Sequence, residues 1–335
     1  MNVFATRILP AEGSRLLREN GVDLIEYSEK TELRPEELIR QCAKADALIS
    51  SGPNKLNRNF FSHCRHLKAV SLLSVGFDNV DLTAATDYGI PVGNTPGVLN
   101  NATADTAFLL MLSVARNAFY MHRSILEGKW GFYEPTANLG IELNGKILGI
   151  YGMGRIGMNF ARKCAAAFDM DIYYHNRRRN VEAEMEIGAK WVPFDVLLSL
   201  SDIISVHASL NPESAHAFNV ATFKKMKSSA IFINTARGAI HDERDLINAL
   251  TNGEIYGAGL DVMLNEPCSP DNPLLTLPNV CVLPHIGSAT VEARNAMSIL
   301  AAQNILAALK NDRMPHVVNP EVYIRRVASG DFSGK

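Results

Sequence analysis

An α/β protein with two parallel-sheet domains is the fold class that this sequence predicts. Its 335 residues correspond to about two domains at roughly 150 residues each. Apolar residues make up 47% of the chain, which suffices for two packed cores. Short apolar segments alternate with polar, helix-forming segments, and this alternation is typical of parallel sheets covered by helices.

The alternation occurs in two series separated by a long apolar segment. The first series predicts five strands, and the second predicts six, which suits a doubly wound dinucleotide-binding domain. Residues 102–121 contain neither Gly nor Pro, so one helix able to join two domains is expected there. Another helix is expected over 291–310, and the tail from Val317 is expected to pack on the first domain. The predicted strands are 3–8, 23–27, 45–50, 67–75, 90–93, 147–151, 172–174, 203–206, 231–234, 256–262 and 280–283.

The order of these series predicts a domain, an inserted domain and a return to the first. We expect the first domain to comprise residues 1–100 plus 291–335, and the second to comprise residues 101–290. The polar final residues 329–335 are expected to fray, as chain ends often do.

Charge and cysteine content argue against several classes of function. Lys and Arg number 33 against 35 Asp and Glu, a formal net charge of −2, so no basic field indicates nucleic acid or an anionic membrane as a partner. No apolar stretch approaches the roughly 20 residues of a membrane span, and the N-terminus lacks a signal pattern. A cytoplasmic protein is therefore expected. Five scattered cysteines without a CxxC pair fit reduced thiols, and no metal site is expected.

A glycine-rich motif follows the first strand of the second series. The segment Gly152-Met153-Gly154-Arg155-Ile156-Gly157 runs from an apolar strand into a helix pattern, which is the context that makes GxGxxG specific for dinucleotides. Gly152 permits the tight turn, Gly154 allows backbone N–H groups to approach a pyrophosphate, and Gly157 allows close packing of the helix. The motif predicts that this domain binds a dinucleotide.

The end of the next strand bears on which dinucleotide binds. NAD-binding domains normally carry an acidic residue there, but residues 172–181 contain no Asp or Glu. Asn176, Arg177, Arg178 and Arg179 follow the strand instead, and guanidinium groups suit a 2′-phosphate. NADP(H) is therefore favoured, with NAD(H) possible. The alternative is that this basic run is the solvated start of a helix.

Three polar residues follow the ends of later strands in the second series. Arg237, Glu266 and His285 could converge, because open α/β sheets bind ligands at the carboxyl ends of their strands. Reduction of a 2-oxo acid needs a guanidinium group that donates two hydrogen bonds to the carboxylate and a proton donor for the carbonyl oxygen. It also needs a charge that stabilises the protonated donor. Taken singly, Arg237 could cap a helix, Glu266 could belong to a turn and His285 to an ordinary loop.

Several motifs together resemble the D-isomer-specific 2-hydroxyacid dehydrogenase family, and the resemblance extends over nearly the whole chain. They are 74–81, 94–99 with 102–105, 234–238, 258–262 with Glu266-Pro267, and 284–290. The resemblance implies a Rossmann dinucleotide domain inserted into a flavodoxin-like substrate domain, both doubly wound. It also implies that the N–H groups of Val75 and Gly76 bind the substrate carboxylate together with Arg237.

The same resemblance implies further contacts to the cofactor. Asp261 would contact the carboxamide side, Thr103 would lie near the nicotinamide, and His207 and Ala208 would line the adenosine side. The complete set of expected cofactor contacts is Thr103, Gly152, Met153, Gly154, Arg155, Ile156, Gly157, Asn176, Arg177, Arg178, His207, Ala208, Thr235, Ala236, Asp261 and Gly287.

Two positions depart from the family pattern. Residues 208–210 read Ala-Ser-Leu where the family usually has a proline, and His241 stands where an apolar residue is usual. Neither position touches the expected chemistry, so the departures concern the cofactor wall and not the mechanism.

Within the family, the motifs look most like bacterial glyoxylate, hydroxypyruvate and 2-ketogluconate reductases. The implied activity is NADPH-dependent reduction of small 2-oxo acids to D-2-hydroxy acids. His285 would donate the proton, Glu266 would keep it charged, and Arg237 would orient the carboxylate, with domain closure excluding water. The resemblance also implies a homodimer, because in the family the region around Trp130 often belongs to the dimer contact.

Two other functions remain open at this point. One is NAD-linked oxidation of a phosphorylated hydroxyacid of the D-3-phosphoglycerate type. The other is a non-catalytic, NAD(H)-sensing module similar to the transcriptional co-repressors that share this fold.

Overall fold

The computed structural model describes residues 1–324 and divides the chain into two compact units. The first unit comprises Met1–Leu99 with the described part of the segment that starts at Ala289, and the second comprises Asn100–Ser288. The end of the predicted segment 291–335, including residues 329–335, lies outside the described residues.

Twelve strands and twelve α-helices have both ends within the described residues, and residues 321–324 are helical as well. The strands are β1 (Asn2–Ala5), β2 (Asp23–Glu26), β3 (Ala47–Ser50), β4 (Ala69–Leu72), β5 (Val92–Gly93), β6 (Ile147–Tyr151), β7 (Asp171–His175), β8 (Lys190–Trp191), β9 (Ile203–Val206), β10 (Ile231–Asn234), β11 (Gly257–Leu260) and β12 (Val280–Val282). The helices are α1 (Ala11–Glu19), α2 (Pro35–Cys42), α3 (Arg58–His63), α4 (Leu82–Asp87), α5 (Asn100–Ala115), α6 (Ala118–Leu126), α7 (Arg155–Phe168), α8 (Val181–Ile187), α9 (Phe194–Leu200), α10 (Val220–Phe223), α11 (Glu243–Thr251) and α12 (Val291–Leu309).

Both units contain a parallel sheet, which confirms the predicted fold class. The first sheet has the order β2-β1-β3-β4-β5 and the second has the order β12-β11-β10-β9-β6-β7-β8. All pairs between these strands are parallel. The first order is the flavodoxin-like one, and the second contains the Rossmann order, with its switch point between β6 and β9.

The second sheet is held by strands that are apolar on both faces. All residues of β9 and β10 are buried, as expected for a parallel sheet covered by helices. In β11, a Cβ on Gly257 or Gly259 would lie within 3 Å of side-chain atoms of Val114 or Leu110 in α5. The absence of side chains at these glycines therefore lets α5 lie directly on the sheet.

Two predicted details of the second unit are wrong. Residues 102–121 do not form one helix, because α5 ends at Ala115 and α6 begins at Ala118. Asn117 between them has φ +51°, a left-handed conformation that Asn tolerates better than most residues. The second series also contains a seventh strand, β8, which is two residues long and too short to recognise as a pattern.

Residues 317–319, at the start of the C-terminal tail, pack on the first unit, as predicted for the tail. Val318 N–H donates to Val92 O at 2.8 Å, and Val317 pairs with Gly93 as an antiparallel bridge. Asn319 is buried and its Oδ1 accepts from Val92 N–H at 2.8 Å. Among residues 1–324, the helices are too short or too polar to cross a bilayer.

Candidate active site

The glycine-rich turn joins β6 to α7 at the switch point of the second sheet. Gly152 has φ +102°, and a Cβ there would lie 2.4 Å from Ala208 N. A Cβ on Gly157 would lie 2.7 Å from Gly152 O, whereas a Cβ on Gly154 would meet no protein atom within 4 Å. Packing within the protein thus requires glycine at 152 and 157, while Gly154 faces open space.

The first turn of α7 offers N–H donors at this turn. The N-cap Gly154 has no side chain, and the first helical hydrogen bond is Met158 N–H to Gly154 O. The N–H groups of Arg155, Ile156 and Gly157 have no partner among residues 1–324. Uncapped N–H groups at the positive end of a helix dipole are a binding site for phosphate, so the residues present fit a dinucleotide.

Asn176 at the end of β7 fastens the turn. Its Oδ1 accepts from Met153 N–H at 2.6 Å, and its Nδ2 donates to Met153 O at 3.2 Å. Trp191 Nε1 donates to Asn176 O at 3.0 Å. Because both ends of the amide contact the Met153 backbone, the side chain of Asn176 positions the turn.

The three arginines that follow Asn176 are not equivalent. Arg177 and Arg178 are exposed and have no hydrogen-bond or ionic partner among residues 1–324. Arg179 donates from Nε and Nη2 to both carboxylate oxygens of Glu184, at 2.9 and 2.6 Å. The expectation that three guanidinium groups face a 2′-phosphate is therefore wrong for Arg179, because its guanidinium group is already hydrogen-bonded to Glu184.

The segment after β9 forms the wall opposite the turn. Ala208 N is the atom that a Cβ on Gly152 would meet, so this segment lies directly against the turn. His207 Nε2 lies 2.9 Å from Ser205 Oγ, and burial lowers the pKa of His207 to about 3. A neutral imidazole at neutral pH follows from this burial.

Asp261 connects the end of β11 to the loop after β12. Its buried carboxylate accepts from Ile286 N–H at 2.8 Å and from Gly287 N–H at 2.7 Å. Burial raises the pKa of Asp261, and these two hydrogen bonds oppose that effect. A Cβ on Gly287 would lie 2.9 Å from Asp261 Oδ2 and 3.3 Å from Thr103 Cγ2, so Thr103, Asp261 and Gly287 lie together.

His285 and Glu266 form an ion-pair geometry at the same edge. His285 Nδ1 lies 2.7 Å from Glu266 Oε2, and Glu266 Oε1 accepts from Met263 N–H at 3.0 Å. Partial burial raises the pKa of Glu266, but the hydrogen bonds from His285 and Met263 and the charge of Arg237 outweigh it and lower the pKa. His285 Nε2 has no hydrogen-bond partner among the described residues and remains available to a substrate.

Arg237 is the N-cap of the 3-10 helix Gly238–Ile240 and lies three residues after the end of β10. Asn234 holds this turn, since its Oδ1 accepts from Ala236 N–H and its Nδ2 donates to Arg237 O, both at 2.9 Å. A Cβ on Gly238 would lie 2.1 Å from Met263 O. The Arg237 turn and the Glu266 segment are therefore in direct contact, and the ends of the neighbouring strands β10, β11 and β12 bring Arg237, Glu266 and His285 to one edge.

Thr235 adds an observation that favours a ligand at this edge. Its hydroxyl is buried and has no hydrogen-bond partner among the described residues. Buried hydroxyls are normally paired, so the residue fits the expected cofactor contact. Ala236 lies next to it and is partly exposed.

Val75 and Gly76 lie in the first unit, after β4. Ser74 Oγ donates to Gly76 O at 2.7 Å and Asn94 Nδ2 donates to Val75 O at 2.8 Å, so this loop is held from both sides. The N–H groups of Val75 and Gly76 have no partner among residues 1–324, as an anion-binding loop requires.

Sequence reasoning missed the residues that support these loops. Asn234 closes an otherwise apolar strand, and that change of polarity was a usable signal. Glu243 at the start of α11 accepts from Leu264 N–H at 3.3 Å and from Asn272 Nδ2 at 2.8 Å. It thereby braces the segment that carries Glu266, and no local pattern indicates this.

Comparison with known proteins decides the family. Residues 108–287, more than half of the chain, match the family model described as D-isomer specific 2-hydroxyacid dehydrogenase, NAD binding domain. The chain belongs to the D-isomer-specific 2-hydroxyacid dehydrogenases. It is therefore an oxidoreductase with an NAD-binding domain, which confirms the expected family and enzyme class.

Relatives and a solved structure match almost the whole chain. A glyoxylate reductase from Thermococcus litoralis is 42% identical over 331 residues, covering 96% of this chain and 97% of that protein. A glyoxylate/hydroxypyruvate reductase B from Salmonella paratyphi A is 42% identical over 292 residues, covering 86% and 90%. The structure of an NADPH-dependent glyoxylate/hydroxypyruvate reductase from Sinorhizobium meliloti, in complex with NADP and malonate, has a TM-score of 0.82 at 30% identity and covers 95% and 97%.

Proposed function

We propose that this dehydrogenase is an NADPH-dependent reductase of small 2-oxo acids, with glyoxylate and hydroxypyruvate as its main substrates and 2-ketogluconate as a third. The 2.7 Å contact between His285 and Glu266, at the same edge as Arg237, carries the proposal. It combines a proton donor, the charge that stabilises it and a fork for a carboxylate. The names of the relatives from Thermococcus litoralis and Salmonella paratyphi A support the substrate class.

The chain's own residues would perform the proton transfer and hold the substrate. The bound nicotinamide cofactor supplies the hydride that reaches the carbonyl carbon. His285 gives its Nε2 proton to the carbonyl oxygen, so that the C=O bond becomes a secondary or primary alcohol. Glu266 stabilises the imidazolium before transfer, and Arg237 aligns the carboxylate, a positioning effect worth several kcal/mol, on the order of a thousandfold in rate.

The glycine-rich turn and the arginines would hold the cofactor. The free N–H groups of Arg155, Ile156 and Gly157 would bind the pyrophosphate, and Thr235 with Asp261 would bind near the nicotinamide. In this proposal, Val75 and Gly76 contribute their free N–H groups to the substrate carboxylate.

The preference for NADPH is supported by Arg177 and Arg178. Both guanidinium groups are exposed and have no partner among residues 1–324, and the relative from Sinorhizobium meliloti is NADPH-dependent. Exchange of both arginines for serine should raise the KM for NADPH about tenfold or more, with the KM for NADH unchanged. Arg179→Ser is the matched control, because Arg179 is bound to Glu184. The preference would be contradicted if the double variant raised the KM for NADPH and for NADH equally. It would also be contradicted if Arg179→Ser raised the KM for NADPH as much as the double variant does.

Initial rates with several acids test the substrate class. Glyoxylate, hydroxypyruvate, 2-ketogluconate and a phosphorylated hydroxypyruvate should be compared with NADPH and NADH, following absorbance of the reduced cofactor. We expect the highest kcat/KM for glyoxylate or hydroxypyruvate with NADPH. A preference for the phosphorylated acid with NADH would favour the phosphoglycerate-type alternative instead.

We also propose that the enzyme is a homodimer that buries the segment after α6. Trp130, Phe132 and Tyr133 are 81%, 92% and 80% exposed, and clustered exposed aromatic residues mark interaction surfaces. Sedimentation should give twice the monomer mass, and exchange of Trp130 and Phe132 for serine should shift the protein towards the monomer. A wild-type monomer at micromolar concentration would contradict this proposal.

A further inference from the structure

His241 is a fully buried histidine beneath the Arg237 turn. It follows the 3-10 helix Gly238–Ile240, and its exposed fraction is 0%. Its Nδ1 lies 3.0 Å from Asn234 Nδ2, and its ring stands edge-on to Phe232 with centroids 5.8 Å apart.

The hydrogen bonds of Asn234 determine the protonation of this imidazole. Ala236 N–H needs an acceptor, which must be Asn234 Oδ1, and Arg237 O needs a donor, which must be Asn234 Nδ2. The second hydrogen on Nδ2 then points to His241 Nδ1, so Nδ1 accepts and the proton resides on Nε2. Burial lowers the pKa of His241 to about 4, so this neutral form persists at neutral pH.

The histidine is not explained by packing alone. Its Nε2 is buried and has no hydrogen-bond partner among residues 1–324. A buried donor without a partner is destabilising, and an apolar side chain of similar size would avoid this. An apolar side chain, however, could not accept the hydrogen bond that His241 Nδ1 accepts from Asn234 Nδ2.

We propose that His241 is a positioning residue that fixes Arg237 through the amide of Asn234. The inference rests on the proposed role of Arg237 in binding the substrate carboxylate. With Nδ1 as acceptor, the amide oxygen and both amide hydrogens of Asn234 are engaged, and the amide cannot rotate without losing bonds. The backbone of Ala236 and Arg237 is thereby held against the end of β10.

Loss of the acceptor should act on substrate binding and leave the fold intact. His241→Leu removes the unpaired Nε2–H but leaves one Asn234 hydrogen unpaired, so the two effects on stability oppose each other. The Arg237 turn loses one of its supports, and Arg237 orients the carboxylate less well. The KM for the oxo acid should rise more than the KM for NADPH, because the cofactor is also held by the glycine-rich turn, which this change does not touch.

The experiment compares His241→Leu with His241→Asn in the full-length enzyme. The amide oxygen of asparagine can occupy the place of Nδ1 and accept from Asn234, so His241→Asn is the rescue variant. Steady-state kinetics with glyoxylate should show the KM raised about threefold to tenfold in His241→Leu. A change of this size corresponds to the net free energy of one hydrogen bond. In His241→Asn the KM should return to within about twofold of wild type, and Tm reports the folding of each variant. His241→Val, which is smaller, repeats the test if leucine does not fit.

An Arg237→Lys background separates this inference from the proposed function. If His241 acts through Arg237, His241→Leu should add little to the KM in that background, since the effects of coupled residues are not additive. The inference would be overturned if His241→Leu left the KM for the oxo acid unchanged or if His241→Leu and His241→Asn raised it equally. It would also be overturned if the effects of His241→Leu and Arg237→Lys on this KM were fully additive. Near-wild-type kinetics of Arg237→Lys itself would overturn the carboxylate role of Arg237, which is a different failure.

Discussion

The turn after β6 and the loops after β10, β11 and β12 lie at the same edge of the second sheet but are built differently. The turn consists mainly of backbone and glycines, and the N–H groups of Arg155, Ile156 and Gly157 that follow it have no partner among residues 1–324. The loops depend on side chains: Asn234 bonds within its own turn, whereas Asp261 and Glu266 bond to Gly287 and His285 in the loop after the next strand. A backbone-built site is therefore visible in a short motif, whereas a side-chain-built site requires the fold.

The two regions share one feature, a buried neutral histidine. His207 lies beside the turn and His241 lies beneath the Arg237 loop, and burial lowers the pKa values to about 3 and about 4. His285 differs from both because it is exposed and paired with Glu266. The contrast separates histidines that hold structure from the one that can exchange a proton with a substrate.

The largest expected effect is on kcat and comes from a change in the loops. His285→Ala should lower kcat about a hundredfold to ten-thousandfold, because the proton donor is removed. Binding of NADPH, followed by fluorescence, should be unchanged, since the turn is untouched. A kcat near that of wild type would contradict the assignment of His285 as the donor.

The buried histidines should make the protein sensitive to acid. As the pH falls below 6.5, the unfolded chain binds protons that the folded His241 does not bind until about pH 4, so the free energy of unfolding decreases. For His241 alone the loss should be about 2 kcal/mol between about pH 7 and about pH 5. Urea unfolding of His241→Leu should show a smaller decrease in the free energy of unfolding over this pH range than wild type does. His122→Gln, at an exposed position, should show the same decrease as wild type. Identical pH dependence of all three proteins would contradict the burial argument.

The glycines of the turn allow structure and binding to be separated. Gly154→Ala should leave Tm unchanged, because a Cβ there meets no protein atom, yet weaken NADPH binding about tenfold by blocking the approach of the phosphate. Gly152→Ala should lower both Tm and affinity, since it combines a positive φ with a clash against Ala208. If Gly154→Ala binds NADPH as wild type does, the proposed position of the pyrophosphate is wrong.

The smallest effect concerns the charge beside His285. Glu266→Gln removes the carboxylate that stabilises the imidazolium, so the basic limb of the pH profile for reduction should move to lower pH by about one unit. The measurement is kcat/KM for glyoxylate across the pH range, with Glu254→Gln, on a partly exposed bend, as control. A limb that does not move would argue against the functional pairing.

The sequence predicted the parts that local physics determines. The strands β6, β9 and β10 have the predicted bounds, because runs of buried apolar residues leave little alternative in a parallel sheet. The residues Arg237, Glu266 and His285 could be proposed together because each follows a strand. Their shared edge is a consequence of the strand order.

The features that were missed depend on single bonds or single dihedral angles. The break at Asn117 depends on one left-handed residue within an apolar pattern that otherwise continues. The engagement of Arg179 depends on Glu184, five residues further on, and is not distinguishable in sequence from a free arginine. Glu243 acts through Leu264 and Asn272, whose proximity arises only after the sheet has formed, whereas the partners of Asn234 are only two to seven residues away.

The contact of Gly238 with Met263 has a consequence for protein engineering. Because no Cβ fits between the two backbones, a substitution at 238 displaces the Glu266 segment along with the Arg237 turn. A library aimed at new oxo acids should therefore keep Gly238 and diversify the loops that do not bear on this contact. Selection on random variants of 238, 263 and 264 should return glycine at 238 whatever substrate is chosen.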